Sequence, residues 1–174
     1  MSSKFSYLID TEGFFVNGQY HVKELAVYDF VTETSRVYHF RLPYKFNELS
    51  FNDKRCVKYV SRNVHGIRFE NWSNDLERRM LYLRLEDLID RSRWMDKLIC
   101  YKGGHWEKEL LSVLGYHDAV NIEQFNCPRY ETLCMANKRS EGCGRHVKNT
   151  HKIMHCSKNE VEVFGRWLKK NYVH

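Results

Sequence analysis

The chain has 174 residues, 43% hydrophobic and 14% aromatic, with 28 lysines and arginines against 22 acids for a net charge of +6. This excludes disorder for most of the chain, fits one domain over 1–174, and leans toward a polyanionic partner. No apolar run approaches the ~18 residues of a membrane span, and Met1-Ser2-Ser3-Lys4-Phe5 lacks the apolar core of a signal peptide. The expectation is an intracellular protein, cytoplasmic or nuclear, with no membrane partner. Its six cysteines are then free thiols or metal ligands rather than disulfides.

Phe5–Asp10 reads as a central strand. Asn17-Gly18 is a type I′ hairpin signal, leading into a second strand over Tyr20–Phe30. A third strand, Arg36–Leu42, closes at Pro43 and completes an antiparallel meander. Leu76, Met80, Leu83, Leu85, Leu88 and Ile89 recur at close to helical period, which predicts a helix over Ser73–Arg91 capped by Ser73 or Asn74. Lys97–Tyr101 is a short apolar strand, Glu107–Leu114 a helix and Ala119–Ile122 another strand, a parallel strand-helix-strand signature. Asn126–Cys156 is polar, basic and holds four of the six cysteines. The last helix begins near Ser157, with Glu160 as its capping-box partner. This order predicts an α/β fold, a mixed sheet (three-strand antiparallel meander plus parallel strands) with helices on both faces. That is the ribonuclease H-like layout.

Asp10-Thr11-Glu12 places two carboxylates on one face of a strand. Burying both is costly unless a cation sits between them; magnesium or manganese would remove that cost and organise a phosphate. His155 and Glu160 form a second pair, the histidine to deprotonate a water and the carboxylate to complete the metal site. Cys143-x-x-His146 has zinc-knuckle spacing, with Gly142 and Gly144 allowing the tight turn, and Cys156 follows ten residues on. A fourth zinc ligand is open among Cys127, Cys134, His151, His155 and a carboxylate from elsewhere. Arg129, Lys138, Arg139, Arg145, Lys148 and Lys152 crowd the same segment, near Phe125 and Tyr130. Cations track phosphates and rings stack on unpaired bases, so the segment suits a single-stranded nucleic acid.

The order of these pieces resembles the DEDDh 3′–5′ exonuclease superfamily. Asp10-Thr11-Glu12 matches its first-strand Asp-x-Glu, and Lys23-Glu24-Leu25-Ala26-Val27 its second strand. Val64-His65-Gly66-Ile67 matches its His-Gly-Ile element, and His155 with Glu160 its final histidine and acid. Its middle aspartate has no counterpart in Tyr101-Lys102-Gly103-Gly104-His105-Trp106, so Glu107 or Glu109 has to substitute. The chain also resembles the Maelstrom domain, a relative found in small-RNA silencing that carries a Glu-Cys-His-Cys zinc site. Glu24-Leu25-Ala26 matches its Glu-Leu-Ala stretch; Cys143-Gly144-Arg145-His146 and His155-Cys156 match the rest.

The second resemblance implies a structural zinc on Glu24, Cys143, His146 and Cys156, with Cys134 or His151 as the alternative to Glu24. The first implies magnesium or manganese on Asp10, Glu12 and Glu160, with His155 activating water. Together they imply a protein that binds single-stranded nucleic acid, RNA favoured, with metal-dependent nuclease activity. The alternative is a catalytically inactive, zinc-stabilised module that contacts a protein partner in RNA silencing or in a mobile-element or viral setting.

Overall fold

The structure, a computed structural model, describes residues 3–136, 142–147 and 154–172. Strands β1 (Phe5–Val16) and β2 (Gln19–Asp29) pair antiparallel from Tyr7↔Asp29 to Val16↔Gln19. Asn17 and Gly18 connect them with φ of 52° and 73°, the two left-handed residues that a type I′ turn requires. β3 (Thr34–His39) pairs antiparallel with β2. β4 (Leu98–Tyr101) lies parallel to β1, and β5 (Val120–Asn121) parallel to β4. The result is α/β: one five-stranded mixed sheet in the order β3-β2-β1-β4-β5.

Alternation along the strands sorts the core into two layers. Tyr7, Ile9, Leu25, Val27 and Ile99 face helices α2 (Arg79–Trp94) and α3 (Trp106–Val113), meeting Leu81, Leu85, Ile89 and Leu111. Leu8, Ala26, Tyr28 and Cys100 face the other way, onto α4 (Tyr130–Ala136) and α5 (Ser157–Tyr172), meeting Leu133, Val161, Phe164 and Leu168. A third cluster, Phe14, Val16, Leu42, Leu49, Val57 and Phe69, seats a further helix, α1 (Phe51–Asn63), against the far end of the β1–β2 hairpin. Asp10 pairs with Ala26 and Glu12 with Glu24, so all three acids share the parity of Leu8 and point toward α5. Among the described residues no helix is long and apolar enough to cross a membrane.

Three elements differ from the sequence expectation. α1 was not expected: its apolar row is short, Val57 buried and Val60 half-buried against the third cluster, amid charged and polar residues. Its start is nonetheless capped, Ser50 accepting from the Asp53 amide. The helix expected from Ser73 begins at Arg79. The preceding residues are used differently: Asp75 Oδ2 accepts from the Trp72 amide at 2.8 Å, and Leu76 bridges to Phe40, just past the end of β3. α4 lies inside the segment expected to be irregular. β1, expected to end at Asp10, runs six residues further to Val16, and the remaining boundaries move by one to three residues.

Helix α5 sits tightly on the sheet. A Cβ added at Gly165 would lie 2.6 Å from the Tyr28 ring. Gly165→Ala should therefore destabilise the protein by about 1–3 kcal/mol through overpacking, although alanine is the better helix former by about 1 kcal/mol. Urea unfolding checks this. An unchanged or higher midpoint would mean that α5 is not held at this distance.

Candidate metal centres

Glu24, in the middle of β2, is fully buried, and its carboxylate gathers three other parts of the chain. Oε2 meets His39 Nε2 of β3 at 2.7 Å and receives the Cys143 thiol at 2.9 Å. His146 Nε2 lies 3.1 Å from Oε2. Oε1 accepts from the Ser157 amide at 3.0 Å and from the Ser157 hydroxyl, so a strand carboxylate caps the start of α5. The capping box expected between Ser157 and Glu160 is accordingly not used; Glu160 turns to His155 instead. Glu24, Cys143, His146 and Cys156 each offer one ligand atom, all within 4.8 Å of one another.

The donor set fits zinc. Two thiols, an imidazole and a carboxylate are four protein ligands, which makes a closed, structural type of site. His146 gives its Nδ1 hydrogen to the His65 carbonyl and leaves Nε2 for the centre, the usual orientation of a ligating histidine. Burial alone would push the Glu24 carboxyl up, but bonds to His146 and His39 hold it well below the usual range. The bond from Cys143, against the opposing effect of burial, brings the Cys156 thiol down to about 4. Cys143 itself, set against the Cys156 sulfur and half-buried, is pushed up. Burial pulls the His146 imidazolium down, yet its bonds to Cys156 and Glu24 outweigh that and raise it to about 11. This is a set of anionic donors crowding cations, ready for a dication in place of their protons.

The other expected ligands lie elsewhere. Cys127 and Cys134 are buried in the core between α4, α5 and the sheet, and His151 falls outside the described residues. The His65-Gly66-Ile67 element pins the ligand segment in place. Ile67 bridges to His146, and the Val147 amide donates to the Gly66 carbonyl at 2.8 Å. The His65 ring accepts from the Ile67 amide at Nδ1 and donates from Nε2 to the Gly13 carbonyl, both at 3.0 Å. Burial lowers this histidine to about 4, so it is the neutral tautomer that makes both bonds.

A second group lies across the Glu12↔Glu24 pair. Glu12, His155 and Glu160 offer ligand atoms within 4.8 Å of one another. Asp10 joins them: Glu160 is within hydrogen-bonding reach of it. The Asp10 Oδ2 is buried and has no hydrogen-bond partner among the described residues. Glu107, in the first turn of α3, is the fourth acid; it is buried, and Oε1 accepts from the Thr11 amide at 3.1 Å and from the Thr11 hydroxyl. Glu109, two residues on and so on the opposite side of the helix, is exposed and lies 3.7 Å from His105. Of the two sequence alternatives, it is therefore Glu107 that turns toward the cluster. Burial first, then the charges of their neighbours, raises the Asp10 and Glu12 carboxyls well above the usual range. Burial raises Glu107 against its bonds to Thr11. His155 donates Nδ1 to Glu160 at 2.8 Å, which raises its proton affinity. Glu131 of α4 stands 3.5 Å from its Nε2, a neighbour that nothing in the sequence announced.

Of the expected basic surface, only Arg129 and Arg145 fall among the described residues. Arg145 turns inward to Asp75 at 2.6 Å, beside the buried Lys23–Asp75 pair at 2.8 Å, and stacks over Trp72. Arg129 is exposed ahead of α4. Lys138, Arg139, Lys148 and Lys152 lie outside the described residues. Tyr130 is buried against Phe164, and Phe125 packs on Phe5 and Tyr172, so neither ring is a free stacking face. Compared with protein-family models and with curated proteins, the sequence has no match.

Two outcomes follow from this geometry. Cys143→Ser should lower the bound zinc, read by metal analysis after zinc loading, from about one per chain to a small fraction and lower the melting temperature; unchanged metal content would rule the site out. In protein loaded with zinc alone, Asp10→Asn should raise stability at neutral pH by removing one repelled carboxylate. Raised carboxyls bind protons more readily folded than unfolded, so their penalty is present at neutral pH and fades as pH falls toward the unfolded value near 4. The gain from Asp10→Asn should shrink over that same range in melts recorded from pH 7 downward. A pH-independent gain would contradict it.

Proposed function

We propose that the protein is a ribonuclease H-like domain, related to the DEDDh exonucleases and the Maelstrom domain, that binds single-stranded nucleic acid and cleaves it with magnesium or manganese. RNA is favoured through the Maelstrom resemblance. The observation that carries this reading is the unpartnered, buried Asp10 oxygen among four carboxylates drawn from β1, α3 and α5. A buried acidic cluster of this kind is costly unless a cation completes it.

Asp10, Glu12 and Glu160 would hold the cation, with Glu107 as the substitute for the missing aspartate. When bound there, a divalent ion supplies positive charge that offsets the acids and polarises a phosphodiester. The rest is done by the chain. Glu160 orients the His155 ring and makes it a stronger base, suited to take a proton from an attacking water. Thr11 anchors Glu107 through its amide and hydroxyl. A zinc on Glu24, Cys143, His146 and Cys156 would hold the loop that ends in His155 against the sheet.

One observation favours a second reading. Glu107 already spends an oxygen on Thr11, as an acid kept for structure would. An inactive interaction module would show the same bonds. End-labelled single-stranded RNA and DNA, incubated with zinc-loaded protein with and without added manganese or magnesium, separates the two. Cleavage should require the added metal and fall by about a hundredfold or more in Asp10→Asn. No cleavage in either metal, or cleavage shared equally by the variant, would overturn the nuclease reading in favour of the interaction module.

A further inference from the structure

We propose that α1, together with the Phe15 and Trp106 rings, is the track along which an unpaired polynucleotide strand reaches the carboxylate centre. This rests on the reading of that centre as a nucleic-acid site. α1 carries Lys54, Arg55, Lys58 and Arg62 against a single acid, Asp53, which sits in the first turn. Its aromatic residues Phe51 and Tyr59 are 74% and 63% exposed. Arg55 and Lys58 lie near the Phe51 and Phe46 rings, and among the described residues neither is paired with a carboxylate.

The helix is a ridge between two open grooves of about 690 and 800 Å³. Lys58 and Arg62 line both; Arg55, Tyr59 and Phe15 line the second. From Phe15 the rings continue without a break toward the acids. Phe15 meets Trp106 edge-on with centroids 5.0 Å apart, and Trp106 stacks on Tyr20 at 5.1 Å. The Tyr20 hydroxyl lies 3.4 Å from the Thr11 hydroxyl, which bonds to Glu107. Trp106 itself immediately precedes Glu107.

Charge and ring together select the occupant. Cations at helical spacing suit a row of phosphates. Exposed rings beside them suit bases whose faces are free, a condition an unpaired strand meets and an intact duplex does not. The acids at the far end would repel phosphates by themselves, so the attraction has to come from neighbouring cations, which α1 supplies.

The test uses the zinc-loaded full chain carrying Asp10→Asn, which keeps the strand uncut, and reads anisotropy of dye-labelled oligouridylate and oligothymidylate over a salt series. Neutralising α1 with Arg55→Gln and Lys58→Gln should weaken binding about tenfold near 0.1 M salt. It should also flatten the slope of log affinity against log salt by roughly 1.4, the share of two phosphate contacts on a single strand. Tyr59→Ala should weaken binding about tenfold and leave the slope unchanged. All three positions are exposed, and melting curves confirm that the variants fold. Unchanged affinity and slope in both variants, with the parent still binding, overturns the track and leaves the carboxylate centre as read. A parent that binds neither oligonucleotide at any salt overturns the nucleic-acid reading as well, and metal-dependent melting of the parent then reports on the acids alone.

Discussion

A carboxylate with no access to water has to be matched by donors brought to it, and at Glu24 those donors come from three other parts of the chain. His39 reaches it from β3, Cys143 and His146 from the segment after α4, and the Ser157 amide from the first turn of α5. Removing one partner of such a group typically costs several kcal/mol because the charge stays behind. The position of α5 on the sheet, and of everything its first turn carries, follows from that requirement. The close approach of Gly165 to Tyr28 fixes the same helix two turns further along.

The two candidate centres are back to back because of strand arithmetic. Glu12 and Glu24 are paired across β1 and β2, so their side chains rise from the same face as neighbours. His155 and Cys156, adjacent in the chain, part ways: the cysteine joins Glu24 and the histidine joins Glu12 and Glu160. Whatever holds Cys156 therefore sets the reach of His155. The Glu24 charge also contributes to raising the Glu12 carboxyl, so a cation on one side eases the electrostatics of the other.

Much of this was legible in the sequence, and its limits have physical reasons. The β1–β2 hairpin announced itself through Asn17-Gly18 and aromatic flanks. Cys143, His146 and Cys156 were readable from ligand spacing, and Asp10 with Glu12 from strand parity. Glu24 was not readable from spacing, since it lies more than a hundred residues from its partners; only the resemblance named it. What would have drawn attention to it is a single acid inside a buried strand, between Val22 and Val27. Glu107 and Glu109 could not be separated until the start of α3 was known, because a shift of two residues moves a side chain to the opposite side of a helix. α1 escaped notice because its apolar row is only Val57 and the half-buried Val60, set among charged and polar side chains. Arg145 looked like surface charge, yet Asp75, itself buried with Lys23, claimed it from seventy residues away.

The acidic cluster runs against the stability of the fold that contains it. Asp10, Glu12 and Glu107 are all raised by burial and by neighbouring carboxylates, Glu160 among them in each case, and one Asp10 oxygen has no partner among the described residues. A chain selected for stability alone would place an amide or an apolar residue at Asp10, which faces the same layer as Leu8 and Ala26. Local rules broken without a compensating contact are characteristic of working sites rather than of scaffolding. The Glu24 group makes the contrast clear, since there every oxygen is met by donors from the chain. One acidic group in this fold is satisfied by its own donors, and the other is short of positive charge. The second is where an outside ligand has most to contribute.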